Sequence, residues 1–194
     1  MESVRNHYQE ALITFAVEDV SDLYAIHQRV KVVTDGDKAI TYAPVGLDRE
    51  GRMVVALRAL PGVDMPGCTT QGDGIGITVE PKSVKDGMSF TIHAGVRLVK
   101  QTRCGERMPT VEEAMEKWTS AVTAGGFLAD DTRMVESNIA FFHKRLNQQT
   151  RLPFWAVSGT LTVVDAEKAA GTMVRGIGRS RGLGFGMLMV QSLP

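Results

Sequence analysis

Five glycines and two arginines fall within the eleven residues 176–186, GIGRSRGLGFG, close to the end of the chain. Glycine permits positive φ and close backbone approach, so a segment this rich in glycine can fold tightly against whatever borders it. A helix pattern precedes it over 165–175, and an apolar strand pattern follows over 185–190. The order helix, glycines, strand is the reverse of the dinucleotide-binding fingerprint, and no Walker lysine is present. What remains is a tight turn or an anion cradle. Backbone N–H groups beside Arg175, Arg179 and Arg181 favour the cradle.

Upstream, residues 11–17 (ALITFAV) form an apolar run that reads as a buried strand. A helix is predicted over 21–33, with Ser21 as N-cap and Leu23, Ile26, Val30 and Val33 as its inward stripe, ended at Gly36. Strands at 39–45 and 52–60 flank the polar turn 48–51, a hairpin signature, and an exposed loop is expected over 62–76. A further strand is predicted at 88–99. Thr110 with Glu113 three positions on makes a capping box for a helix whose apolar face is Val111, Ala114, Met115, Trp118 and Val122, terminated by Gly125 and Gly126. Strands at 139–142 and 155–164 come next, and Asp165 caps the last helix, which Gly176 stops. Hairpin-length turns between strands favour two adjacent α+β units of about 95 residues over a doubly wound parallel sheet.

The 194 residues carry 22 Lys plus Arg against 22 Asp plus Glu, and zero net charge ordinarily argues against a nucleic-acid partner. The charges are segregated, however. Residues 97–107 and 133–151 each hold four basic residues against one acidic residue, while Glu10, Glu18, Asp19 and Asp22 gather near the first helix. Cys68 and Cys104 form neither a disulfide framework nor a zinc quartet, and His7, His93 and His143 lack metal-ligand spacing. No metal and no cofactor are expected. With no long apolar run and a polar start, no membrane association is expected either, and a cytoplasmic location follows.

Tyr24 and His27 stand three positions apart on the first predicted helix, on one face and beside the apolar stripe. A histidine titrates near neutrality, so the pair suits acid–base chemistry; a histidine at the edge of a core is the plainer alternative.

The segments DLYAIHQ (22–28), TVEEAMEKWTSAVTAGGF (110–127) and SGTLTVVDAEKAAGTMVRGIGRSRGLGFGMLMV (158–190) together resemble the CRISPR repeat-processing endoribonucleases of the CasE type. The resemblance spans both halves, and its specific part is the tail: a G-x-L-x-V-x-D strand, a helix and the glycine-rich loop. It implies two tandem ferredoxin-like (RRM-like) domains packed together, here divided as 1–107 and 108–194. It further implies binding of a CRISPR repeat RNA hairpin, metal-independent cleavage at the base of the stem by 2′-OH attack, and retention of the mature RNA among other CRISPR effector-complex subunits. His27 matches the family histidine, foremost as general acid, and Tyr24 the neighbouring tyrosine. For RNA binding the resemblance implies Arg97, Lys100, Arg103 and Arg107, and Arg179 and Arg181 with Gly176, Gly178 and Gly182 in the loop; Lys144 and Arg145 of the second basic cluster and Arg29 are further RNA-binding candidates. The segment 90–96, FTIHAGV, departs from the family, with Thr91 and His93 standing where arginines are typical. A non-catalytic repeat-RNA-binding subunit is the alternative, and a binding domain with a purely structural loop is the third reading.

Overall fold

The computed structural model describes residues 6–17, 22–65, 79–143 and 147–192. β1 (His7–Phe15), α1 (Leu23–Val33), β2 (Thr41–Leu47), β3 (Met53–Ala59) and β4 (Val79–Ser83) build the first unit, an antiparallel sheet in the order β2-β3-β1-β4. β5 (Ser89–Val96) follows, then a small hairpin of β6 (Lys100–Thr102) and β7 (Gly105–Arg107), and α2 (Val111–Ala124). β8 (Phe127–His143), β9 (Gln148–Val163), α3 (Ala166–Arg175) and β10 (Met189–Ser192) complete the second sheet, β10-β5-β9-β8. Both sheets have the ferredoxin-like order, in which the unit's first strand lies between its third and its fourth. The fold is α+β with two ferredoxin-like units packed together, as the resemblance implies.

Local chemistry sets the helix ends. Asp22, rather than Ser21, caps α1: its side chain accepts the Tyr24 N–H at 2.9 Å, and Ser21 lies outside the described residues. The capping box of α2 forms as read, with Thr110 and Glu113 bonding each other's backbone N–H. Asp165 caps α3 and Gly176 ends it at a φ of 69°. No helix among the described residues is long and apolar enough to cross a membrane.

Strand boundaries depart from the pattern reading in several places. β8 and β9 are one long antiparallel hairpin that pairs Phe127 with Val163 and His143 with Gln148, so the polar stretch before 139 is strand. Its alternation is obscured by a register shift between Asp130 and Arg133, where Asp131 has a φ of 48°. The ladder of β10 begins at Met189 rather than 185, because Gly186 turns the chain at a φ of 84°. β4 and the β6–β7 hairpin have no apolar run to announce them. Since β5 pairs with β9 and β10, a boundary at 107 would cut it from its sheet, and we propose the division at 84–88 instead.

β3 is buried on both faces. Val55, Leu57 and Ala59 join Ile26 and Val30 of α1 in the first core, whereas Ala56 meets Met187 of the second unit. Beside Ala56, on the same face, sits Arg58, only 1% exposed. Its Nε donates to Glu10 at 2.7 Å, and its Nη1 donates to the carbonyls of Leu188 at 2.7 Å and Met173 at 3.2 Å. The guanidinium also lies 5.3 Å from the centre of the Tyr8 ring. Thr41 adds a second tie, donating to the Val174 carbonyl at 2.5 Å. α3, buried from Ala169 to Val174, is thereby held by both units. Replacing Arg58 with Ala strands a carboxylate and two buried carbonyls, so the denaturant midpoint should fall by the equivalent of about 2–4 kcal/mol. An unchanged midpoint would show that the units do not depend on this residue.

Candidate functional site

Ile26 and Val30 turn α1 toward the first core, which carries His27 to the edge of that core, half-buried. Its Nδ1 lies 3.1 Å from the hydroxyl of Tyr42 on β2, and that hydroxyl lies 3.3 Å from the Gly182 carbonyl in the glycine-rich loop. Burial pushes the Tyr42 phenol far above its ordinary pKa, so the hydroxyl keeps its proton. If that proton goes to the Gly182 carbonyl, the phenol oxygen accepts Nδ1–H and Nε2 is the nitrogen left to exchange protons, a tautomer assigned from the hydrogen-bond network. Burial lowers the His27 pKa most and the Lys31 ammonium lowers it further, while the Gly182 carbonyl works in the opposite direction. The ring is therefore mainly neutral at pH 7. Tyr24 is close, with its ring centre 6.3 Å from that of His27, but the tyrosine bonded to the histidine is Tyr42.

The loop after α3 is folded onto the end of β5. Gly186 donates its N–H to the Gly95 carbonyl and Arg179 donates its own to the Arg97 carbonyl, at 2.8 and 2.9 Å. A Cβ at Gly186 would sit 2.1 Å from the Ile177 carbonyl oxygen, and one at Gly178 would sit 2.8 Å from that of Arg97. Gly176 is likewise packed against the Gly186 carbonyl. Gly176 and Gly178 thus let the chain close on itself, whereas Gly182 faces open space.

This closure creates a cleft of about 980 Å³ between α1, β2 and the loop, with His27 on its wall. Lys31, Lys38, Arg97, Arg175, Arg179 and Arg181 line it, against Asp37 and Glu106. Of the predicted site residues, the structure brings His27, Arg97, Gly178, Arg179, Arg181 and Gly182 together here. Lys100 and Arg107 lie on the β6–β7 hairpin and pair with Glu113 at the start of α2. The Lys100 contact and the Thr110 N–H hold the Glu113 carboxyl down to about 2. Arg103 is exposed at the tip of that hairpin beside the free Cys104. Tyr24, Arg29 and Gly176 are not among the cleft's lining residues, and Lys144 and Arg145 lie outside the described residues.

Sequence reasoning missed Lys31, Lys38 and Tyr42, the last because nothing in a strand pattern says which side chain will meet a helix residue fifteen positions earlier. The assembled chemistry is an imidazole on the wall of a cleft lined by several cations. Such a wall can hold an anionic ester and move a proton at an atom beside it. Among the described residues no group of three or more His, Cys, Asp or Glu is arranged to hold a metal ion.

A family model described as "CRISPR associated protein" matches residues 77–192. Among solved structures, the chain is similar to the CRISPR endoribonuclease Cse3 bound to a 19-nucleotide RNA, at 17% identity and a TM-score of 0.71, over 95% of this chain and 99% of that one. It is similar to Thermus thermophilus Cse3 bound to an RNA representing a pre-cleavage complex, at 17% identity and 0.72, over 94% and 99%. It also resembles Cas6e from Escherichia coli K-12, at 16% and 0.68, over 95% and 100%. No curated protein matches by sequence. At these identities the structures establish the shared fold.

The His27 environment predicts a titration that NMR can follow. Its midpoint should lie below the ordinary histidine value, and Lys31→Gln, which removes a repelling charge, should move it upward. A midpoint unmoved by Lys31→Gln would show that the ammonium does not act on the ring.

Proposed function

Because the chain belongs to the family of CRISPR-associated proteins, we propose that it is a metal-independent endoribonuclease that binds the hairpin of a CRISPR repeat transcript and cuts at the base of the stem. The observation that carries this reading is His27 on the wall of a cleft lined by Arg97, Arg179 and Arg181. In the reaction the ribose 2′ oxygen bonds to the adjacent phosphorus as the P–O5′ bond breaks, leaving 2′,3′-cyclic phosphate and 5′-OH ends. The 2′-OH gives its proton to solvent water as it attacks, His27 donates a proton to the departing 5′ oxygen, Tyr24 orients the 2′-OH, and the arginines offset charge on the crowded phosphate. Tyr42 holds the imidazole by its Nδ1 side throughout.

The neutral resting state of His27 fits this role. A bound phosphodiester places a negative charge near the ring and favours its protonated form, so substrate binding raises the fraction of His27 able to donate. The stem itself is read by shape and phosphate contacts, since the major groove of an A-form duplex is too deep and narrow for side chains. After cleavage the protein keeps the stem and serves as a subunit of a CRISPR RNA-guided surveillance complex, an assembly in which one similar chain is found, at 13% identity and a TM-score of 0.63.

Single-turnover cleavage of the repeat hairpin in EDTA tests the assignment. His27→Ala should lose at least about 100-fold in rate with hairpin affinity retained. The wild-type rate should decline as pH rises through the His27 pKa in the RNA complex, because only the protonated ring can donate, and the variant should lack that limb. Tight binding without a cyclic-phosphate product from the wild type would leave a non-catalytic RNA-binding subunit.

A further inference from the structure

Two of the cleft's arginines already hold an anion, and it comes from the protein itself. Glu106, on β7, reaches across from the small hairpin so that its carboxylate contacts Arg179 Nη1 and lies 3.7 Å from Arg97 Nη2. The backbone bridge between Arg97 and Arg179 sets the two residues side by side, and Arg97 Nη1 also donates to Ser180 Oγ at 2.8 Å. Arg97 Nε, buried, has no hydrogen-bond partner among the described residues. The carboxylate belongs to a different element, the two-stranded β6–β7 hairpin, which is tied to α2 through Lys100 and Arg107. The cations are thus built into the wall, whereas the anion is supplied from a separate arm.

We propose that Arg97, Arg179 and Ser180 form a phosphate subsite of the cleft and that Glu106 occupies it in the absence of RNA, leaving when a phosphodiester enters. This rests on the RNA-cleaving reading and adds to it an internal competitor. Carboxylate and phosphodiester each carry one negative charge, and both accept paired hydrogen bonds from guanidinium groups, so either satisfies the same donors. Exchange has two measurable consequences. RNA must displace a contact that is already made, which weakens binding, and the released carboxylate takes a counterion back, which reduces the net release of ions on binding.

Glu106→Gln keeps the shape of the side chain and removes its charge, with Glu116→Gln on the exposed side of α2 as the charge-matched control. Inorganic phosphate, followed through the arginine Nε–H signals of Arg97 and Arg179, reads the subsite without RNA. These signals should shift at a lower phosphate concentration in Glu106→Gln than in the wild type or the control. With the repeat hairpin, Glu106→Gln should bind roughly twofold to fivefold more tightly, the range set by partly exposed ion pairs. Its plot of log K against log salt concentration should be steeper by about one. Adding Arg179→Ala to Glu106→Gln should abolish the gain. Phosphate titrations and salt slopes that match the control, or weaker hairpin binding, would overturn the proposal. Should the wild-type chain bind no hairpin at all, the functional reading fails, and the phosphate titration still decides the subsite by itself.

Discussion

One guanidinium holds the two halves in the relation that the site requires. Arg58 extends from near the end of β3 into the seam, where Glu10 of its own sheet and the carbonyls of Met173 and Leu188 of the other unit accept its N–H groups. A planar group with five fixed donors suits this position, because it satisfies acceptors in several directions without moving. Leucine or methionine would fill the space but leave the carbonyls at the end of α3 and before β10 without their donor. Those two carbonyls bracket the glycine-rich loop. Fixing them fixes where the loop leaves α3 and where it rejoins the second sheet. Through the loop, the position of Arg179 and Gly182 relative to His27 depends on an arginine remote from the cleft.

How much of this is legible in the sequence varies by element, for physical reasons. α2 and α3 read almost to the residue, because capping is a local matter: Thr110 with Glu113, and Asp165 with its own N-terminal turn, act within four positions. The long β8–β9 hairpin is readable only at its apolar ends, since a strand with one wet face and a bulge at Asp131 lacks the pattern that marks buried strands. Ser89–Val96 reads as a strand, but nothing local says which unit it joins. Strand pairing is long-range, and β5 meets β9 across some sixty residues of intervening chain. For the site, residue type, spacing and resemblance find His27 and the loop arginines. They do not find Tyr42, because its role arises only when β2 passes beside α1.

The glycine-rich loop shows why composition alone leaves two readings open. Both are partly correct, residue by residue. Gly176, Gly178 and Gly186 serve close packing, with a missing Cβ in each case replaced by backbone of the same protein. Gly182 faces outward and offers its carbonyl to Tyr42. The side chains between them do the electrostatic work: Ser180, in the left-handed region at a φ of 58°, turns its hydroxyl to Arg97, and the flanking arginines enter the cleft. The tight turn and the anion cradle are therefore two faces of one segment, and the first is a condition of the second.

Zero net charge acquires a different meaning once the pairs are located. Glu113 takes two basic residues of the β6–β7 hairpin, and Glu106 spans Arg97 and Arg179, so part of the acidic half of the balance is spent on cations that would otherwise face solvent. A protein whose cations were all unpaired would attract any polyanion, with a field set by net charge and screened beyond about 8–10 Å. One whose cations are paired internally must exchange partners at each contact, and exchange favours a ligand that presents its phosphates at the spacing the wall provides. A folded stem holds its phosphates at fixed intervals, whereas an unstructured strand must be ordered before it can do the same, at a cost in conformational entropy. Neutrality therefore does not oppose a nucleic-acid partner here. It is compatible with the hairpin partner proposed above, whose shape is defined.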